Sequence, residues 1–114
     1  TILWSMDFPN GVVANCSTTY GFSGVNVATA YAERGKFGLS PAFSYGGIKA
    51  FAGDRPIELP NVDQFALEMD DFSKVIKTNG KSKVSGEEGL RDMLVMEAIY
   101  KSVRDGSQVD VAHA

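Results

Sequence analysis

The sequence contains few of the residues on which thiol, metal and disulfide chemistry depend. Among 114 residues there is one cysteine, Cys16, and one histidine, His113. A single cysteine excludes an internal disulfide framework, and one histidine among scattered carboxylates offers no ligand spacing for a metal ion. Cys16 falls in the middle of a predicted strand, where cysteine is more commonly a small buried apolar residue than a nucleophile. We therefore predict neither a metal site nor a catalytic thiol.

Positive charge and long apolar runs are also scarce. The formal net charge is -3, and the only loose group of lysines, at residues 74–83, surrounds a predicted helix end, where the helix dipole favours positive charge. This pattern indicates neither a nucleic-acid partner nor an anionic membrane. No apolar run in the sequence is long enough to span a bilayer, and we identify no signal-peptide pattern within it.

The glycines do not form a phosphate-binding loop. No G-x-G-x-x-G occurs, and no strand-helix-strand unit surrounds any candidate glycine, so we assign no cofactor-binding residue. Most glycines instead separate short runs of alternating apolar and polar residues, as in the turn at Pro9-Asn10-Gly11. Connections this short predict an antiparallel meander. The predicted strands lie at about 1–8, 12–20, 25–33, 36–45, 48–52 and 57–59.

The apolar period changes from two to about 3.6 after residue 60. A single apolar stripe predicts a helix at about 62–79, with a capping box formed by Asn61 and Gln64. A second helix is predicted at about 86–105, with Ser85 and Glu88 as its capping box and Gly106 as its end. Residues 109–111 suggest a last short strand. The stripe of the first helix consists of Val62, Phe65, Met69, Phe72 and Ile76.

Strands followed by helices predict one α+β domain over residues 1–114. Its sheet is open and mainly antiparallel, with about five or six strands and two helices on one face. Two helices cover only part of such a sheet, so the remaining surface is expected to meet a missing domain or a second copy of the chain. One strand face is large and apolar, and the other is small and uncharged, which suits close approach of another flat surface. The small face carries Ser5, Asn15, Ser17, Thr19, Asn26, Ala28 and Ala30.

Carboxylates supply the remaining candidates for chemistry. Glu97 lies among apolar residues of the second helix, and burial would raise its pKa, but Lys101 four residues later favours an exposed ion pair. Glu68, Asp70 and Asp71 flank the apolar stripe of the first helix and indicate a solvated helix face. A small enzyme using either set remains an alternative, and we assign no catalytic residue.

Several motifs occur in a fixed order along the chain. E-x-x-x-F spans Glu68–Phe72, G-E-E-G-L-R-D spans Gly86–Asp92, E-A-I-Y-x-S spans Glu97–Ser102 and G-x-x-V spans Gly106–Val109. Upstream, F-P-N-G-V-V-A-N-C-S-T-T-Y at Phe8–Tyr20 is similar to a second-domain hairpin. Together they resemble the C-terminal end of the Gfo/Idh/MocA oxidoreductase family, in a branch similar to glucose-fructose oxidoreductase. The fold implied is like the C-terminal domain of dihydrodipicolinate reductase.

The resemblance implies a substrate-binding and oligomerisation domain. The parent enzyme would use NAD or NADP, bound by an N-terminal Rossmann domain, to oxidise or reduce a sugar, polyol or related hydroxyl compound. The family's cofactor fingerprint, Glu-Lys-Pro-type motif and catalytic lysine and histidine lie upstream of the matched region. The resemblance therefore assigns no catalytic, cofactor-binding or metal-binding residue here, and the chain is expected to be inactive alone.

The resemblance also implies partners and a compartment. Members commonly form dimers or tetramers by sheet-to-sheet contact, here through the small-residue face or the large-residue face opposite. Because the chain starts directly in a predicted strand, we expect it to be part of a longer protein. We expect a cytoplasmic location, with the periplasm as the alternative because one branch of the family is exported. A free-standing, non-enzymatic dimerisation or small-ligand-binding module remains the alternative function.

Overall fold

The structure, a computed structural model, describes residues 1–113 and contains two compact units. The sheet unit comprises Thr1 and Thr18–Asp70, and the hairpin unit comprises Ile2–Ser17 and the chain from Asp71 onward. Six strands and two helices confirm the α+β class. In chain order they are β1 (Ile2–Asp7), β2 (Val13–Thr18), β3 (Ala28–Ala32), β4 (Gly35–Leu39), β5 (Ala50–Ala52), β6 (Arg55–Ile57), α1 (Gln64–Thr78) and α2 (Gly86–Asp105).

The hairpin of β1 and β2 follows the predicted alternation. Along β1, Ile2, Trp4 and Met6 are half-buried, and the residues between them are exposed. The turn closes through Phe8, whose N–H donates to the carbonyl oxygen of Val12 at 2.9 Å. Gly11 at this turn has a φ of 80°, a left-handed conformation that glycine adopts without steric cost. Sequence alternation and turn chemistry therefore agree at this hairpin.

The other four strands form an antiparallel sheet in the order β3-β4-β5-β6. The tight turn after β3 places Ala32 opposite Gly35 and fixes the rest of that register. The edge strand β6 is three residues long, and its central residue, Pro56, pairs with Phe51 of β5. Proline is tolerated at a sheet edge because the N–H that it lacks would point away from the neighbouring strand.

The prediction of one continuous sheet is wrong, because β1 and β2 form a sheet separate from β3–β6. The chain between β2 and β3 is irregular, and β3 begins at Ala28 instead of residue 25. Just before β3, the side chain of Asn26 accepts hydrogen bonds from a later loop, so this segment does not extend the strand. Residues 109–111, predicted to form a strand, belong to no strand of the described chain.

Both helices lie within two residues of their predicted bounds, but their first turns differ from the prediction. Asp63 caps α1, because its carboxylate accepts hydrogen bonds from the N–H groups of Phe65 and Ala66 at 3.0 and 3.2 Å. The capping box of Asn61 and Gln64 is therefore wrong: the helix starts two residues too late for Asn61 to reach its N–H groups.

The two ends of α2 behave differently. Ser85 lies at the predicted N-cap position but makes no side-chain capping hydrogen bond, so the predicted capping box does not form. Gly106 ends the helix as predicted, with a left-handed φ of 61° and an N–H that donates to the carbonyl oxygen of Ser102 at 2.9 Å.

Candidate functional site

One face of the four-stranded sheet is mainly apolar, with the charged Arg55 at the start of β6. Directly opposed residues of neighbouring strands lie on the same face, and the register pairs Ala28 with Leu39 and Ala30 with Phe37. It also pairs Leu39 with Ala50, and Ala50 with Ile57 of β6. We call this surface the open sheet face and define it by Ala28, Ala30, Phe37, Leu39, Ala50 and Ile57.

The open sheet face presents its apolar side chains to solvent. Phe37 is 53% exposed and Ile57 is 47% exposed. Together with Thr29, Gly38 and Phe51, the six residues line a shallow concavity of about 450 Å³. No titratable side chain contributes to this lining. The surface can therefore bury apolar groups of a partner, a role typical of exposed apolar patches, but its lining includes no carboxylate, imidazole or thiol.

Gly38 allows the strands beneath this surface to approach closely. A Cβ atom at Gly38 would lie 2.2 Å from the carbonyl oxygen of Ala28 and 3.0 Å from the ring of Phe51. The first contact is shorter than van der Waals packing permits, and the second is tighter than most Cβ contacts in proteins. Glycine at this position therefore lets the Phe51 ring lie against the middle of β4, which gives the sheet apolar packing at its centre.

Asn26 holds the loop that follows β4. Its side-chain oxygen accepts hydrogen bonds from the N–H groups of Ala42 and Phe43 at 2.8 and 2.7 Å. Its side-chain nitrogen donates to the Ser44 hydroxyl at 3.1 Å. Ala42 is the one buried hydrophobic residue in the part of the chain that the structure describes. One amide side chain thus fixes three consecutive loop residues beside the start of β3.

The loop fixed by Asn26 carries two exposed aromatic residues. Phe43 is 78% exposed and Tyr45 is 83% exposed. The Tyr45 ring lies 5.5 Å from the ring of Phe65 in a tilted pair, and the Tyr45 carbonyl oxygen accepts a hydrogen bond from the Gln64 side chain at 2.8 Å. The first turn of α1 therefore supports the same loop that Asn26 holds.

The seven residues of the predicted small-residue face are divided between the two sheets. Ser5, Asn15 and Ser17 lie on the exposed side of the hairpin, where the Ser5 hydroxyl donates to the Asn15 side-chain oxygen at 2.8 Å. Thr19 follows β2, and its hydroxyl is hydrogen-bonded to that of Thr1 at 2.7 Å.

The other three members belong to the sheet unit. Asn26 precedes β3 and points into the loop described above, whereas Ala28 and Ala30 share the open sheet face. There they lie among the larger Phe37, Leu39 and Ile57, which alternation along single strands does not assign to the same face as the alanines. The sequence does contain a signal for this arrangement, because the tight Glu33-Arg34 turn fixes which residues of β4 lie opposite the alanines. Contact of any of these residues with a second chain stays a prediction.

The remaining candidates for chemistry are dispersed. Glu97 is exposed on α2, and the predicted ion pair with Lys101 does not form, because Lys101 instead contacts Asp105 one turn further along. Asp71 is half-buried and lies 3.9 Å from Lys83. Cys16 is half-buried in β2. Across residues 1–113, no three His, Cys, Asp or Glu side chains are grouped closely enough to hold a metal ion.

Glu87, in the first turn of α2, has a perturbed acidity. The pKa of its carboxyl lies below the ordinary value because the carboxylate accepts hydrogen bonds from the Ser85 side chain and from its own backbone N–H, with a smaller contribution from the charge of Arg91. The group is fully exposed. An exposed, ionised carboxylate at a helix N-terminus stabilises the helix and is not poised for proton transfer.

The described residues do not form a Rossmann-type site for a nicotinamide dinucleotide. In a Rossmann fold the cofactor binds at a glycine-rich turn that leads from a parallel strand into a helix. All strand pairs between residues 28 and 57 are antiparallel, and residues 58–63, which lead from β6 into α1, contain no glycine. No helix within residues 1–113 is long and apolar enough to cross a membrane.

Comparison with known families identifies one match. Residues 53–111 match a family described as the C-terminal alpha/beta domain of the Gfo/Idh/MocA oxidoreductase family. The matched segment starts just before β6 and contains both helices. No solved structure matches the chain.

Proposed function

The chain belongs to the Gfo/Idh/MocA oxidoreductase family, whose C-terminal alpha/beta domain it carries, and from this premise we propose that it is the substrate-binding and oligomerisation domain of an NAD(P)-dependent oxidoreductase. The parent enzyme transfers hydride between the nicotinamide and a carbon of a sugar, polyol or related hydroxyl compound, in a branch similar to glucose-fructose oxidoreductase. A Rossmann domain elsewhere in the protein supplies the dinucleotide site. The observation that carries this proposal is the family match over both helices.

The open sheet face supports the oligomerisation part of the proposal. It combines the small side chains of Ala28 and Ala30 with the projecting side chains of Phe37 and Ile57. Small and large apolar residues side by side allow a second surface to interlock with the first. We propose that a second copy of the chain covers this face in a dimer or tetramer.

The total exposed surface supports extensive contact with other chains or domains. The chain, of 12.3 kDa, exposes 10059 Å². Two separate globules of half this mass would together expose about 7,400 Å² by the usual scaling of surface with mass. The chain therefore exposes about 2,700 Å² more than two separate globules would, and this difference does not depend on how the two units are arranged. A standard interface buries about 800 Å² on each partner, so the uncovered area is enough for more than one such contact.

The described residues form no Rossmann-type glycine-rich turn, which supports a division of labour in which another domain binds the dinucleotide. This chain then contributes surface for the substrate and for other subunits, and the chemistry depends on residues of the Rossmann domain. Titration calorimetry of the chain with NADP and with NAD tests this division. We expect no heat of binding at micromolar concentrations, and micromolar affinity for either cofactor would overturn it.

Oligomerisation is tested separately. Light scattering at tens of micromolar protein is expected to give the mass of a dimer or larger. A monomer that binds no cofactor would contradict the oligomerisation role alone, whereas a dimer that binds NADP would contradict only the division of labour. The two parts of the proposal can therefore fail independently.

A further inference from the structure

We draw no further inference here: the strongest candidate, the exposed apolar stripe formed along α2 by Met93, Met96, Tyr100 and Val103, is an unpartnered helix face, and nothing in the structure shows what covers it.

Discussion

Asn26 illustrates how one polar side chain can determine the path of a loop. Its side-chain oxygen accepts hydrogen bonds from the N–H groups of Ala42 and Phe43, and its side-chain nitrogen donates to the hydroxyl of Ser44. Hydrogen bonds to buried backbone groups matter because a buried donor without a partner destabilises the fold by the full free energy of its desolvation. The N–H of Ala42 also donates to the backbone carbonyl oxygen of Asn26 at 3.1 Å, so the N–H of Phe43 depends more on the side chain than that of Ala42 does.

We expect Asn26→Ala to destabilise the chain by about 1 kcal/mol, since the N–H of Phe43 loses its protein partner, whereas that of Ala42 keeps its hydrogen bond to the Asn26 backbone carbonyl oxygen. Asn26→Asp is the matched control: it keeps the acceptor oxygen, loses only the donor to Ser44 and should cost less. Urea unfolding measures the difference. Amide hydrogen exchange should accelerate at Phe43 more than at Ala42 in the alanine variant, and unchanged exchange at Phe43 would show that the loop is held by other contacts.

Glu87 provides a prediction about pH. Its folded-state pKa is lowered, so its stabilising contribution is present at neutral pH and is lost as the pH falls through that lowered pKa. Ser85→Ala should raise the pKa of Glu87 toward its ordinary value, and by more than Arg91→Ala, because the Ser85 hydrogen bond is the largest cause of the shift.

An NMR titration of the Glu87 side-chain carboxyl measures both variants. A pKa that stays low after the loss of Ser85, or that rises more after the loss of Arg91, would assign the shift to another cause.

At the scale of elements, the start of α1 distinguishes two possible caps. Asp63→Ala removes the acceptor for the N–H groups of Phe65 and Ala66 and should cost about 1 kcal/mol. Asn61→Ala is the matched control and should change the free energy of unfolding little, because Asn61 precedes the first turn. Circular dichroism and urea unfolding measure helix content and stability. Equal losses in both variants would mean that the helix begins earlier, as the sequence alone predicted.

The elements show which features a single sequence determines well. Both helices were predicted within two residues because their apolar stripes repeat over several turns. The N-cap of α1 was misplaced because Asn61 and Asp63 both favour capping and the repeat does not choose between them. The sequence also extended β4 through residue 45, whereas the strand ends at Leu39, before Pro41, a residue that cannot donate to a ladder.

At the scale of the whole molecule, the division of the strands into two sheets was the feature hardest to predict. Alternation tells which residues of a strand share a side, but it does not tell which strands pair. The irregular chain before Ala28 separates β2 from β3, and its path depends on hydrogen bonds to residues 16 and 17 positions later. Contacts between residues so distant in sequence leave no local pattern.

The open sheet face gives a prediction about assembly. Phe37→Asp places a charge among apolar residues, so burying that face against a second copy would require desolvating a carboxylate. We expect the dissociation constant of the dimer to rise by about tenfold or more in this variant. Tyr31→Asp is the matched control, because Tyr31 lies in β3 on the opposite face and pairs with Lys36.

Analytical ultracentrifugation over a range of concentrations measures the shift, and circular dichroism verifies that both variants are folded. Equal weakening in the two variants would indicate that the association does not use the open sheet face. Unchanged association in both would place the interface elsewhere on the chain and contradict the proposed contact.

The edge strand β6 restricts how such sheets can join. Pro56 leaves the outer edge of β6 without its central N–H, and the strand is only three residues long. An incoming strand would find too few donors to continue the hydrogen-bond ladder, which is how natural sheets avoid indefinite edge-to-edge growth. Proline at this position therefore favours closed assemblies built by stacking faces, and it disfavours open-ended fibres built by adding strands.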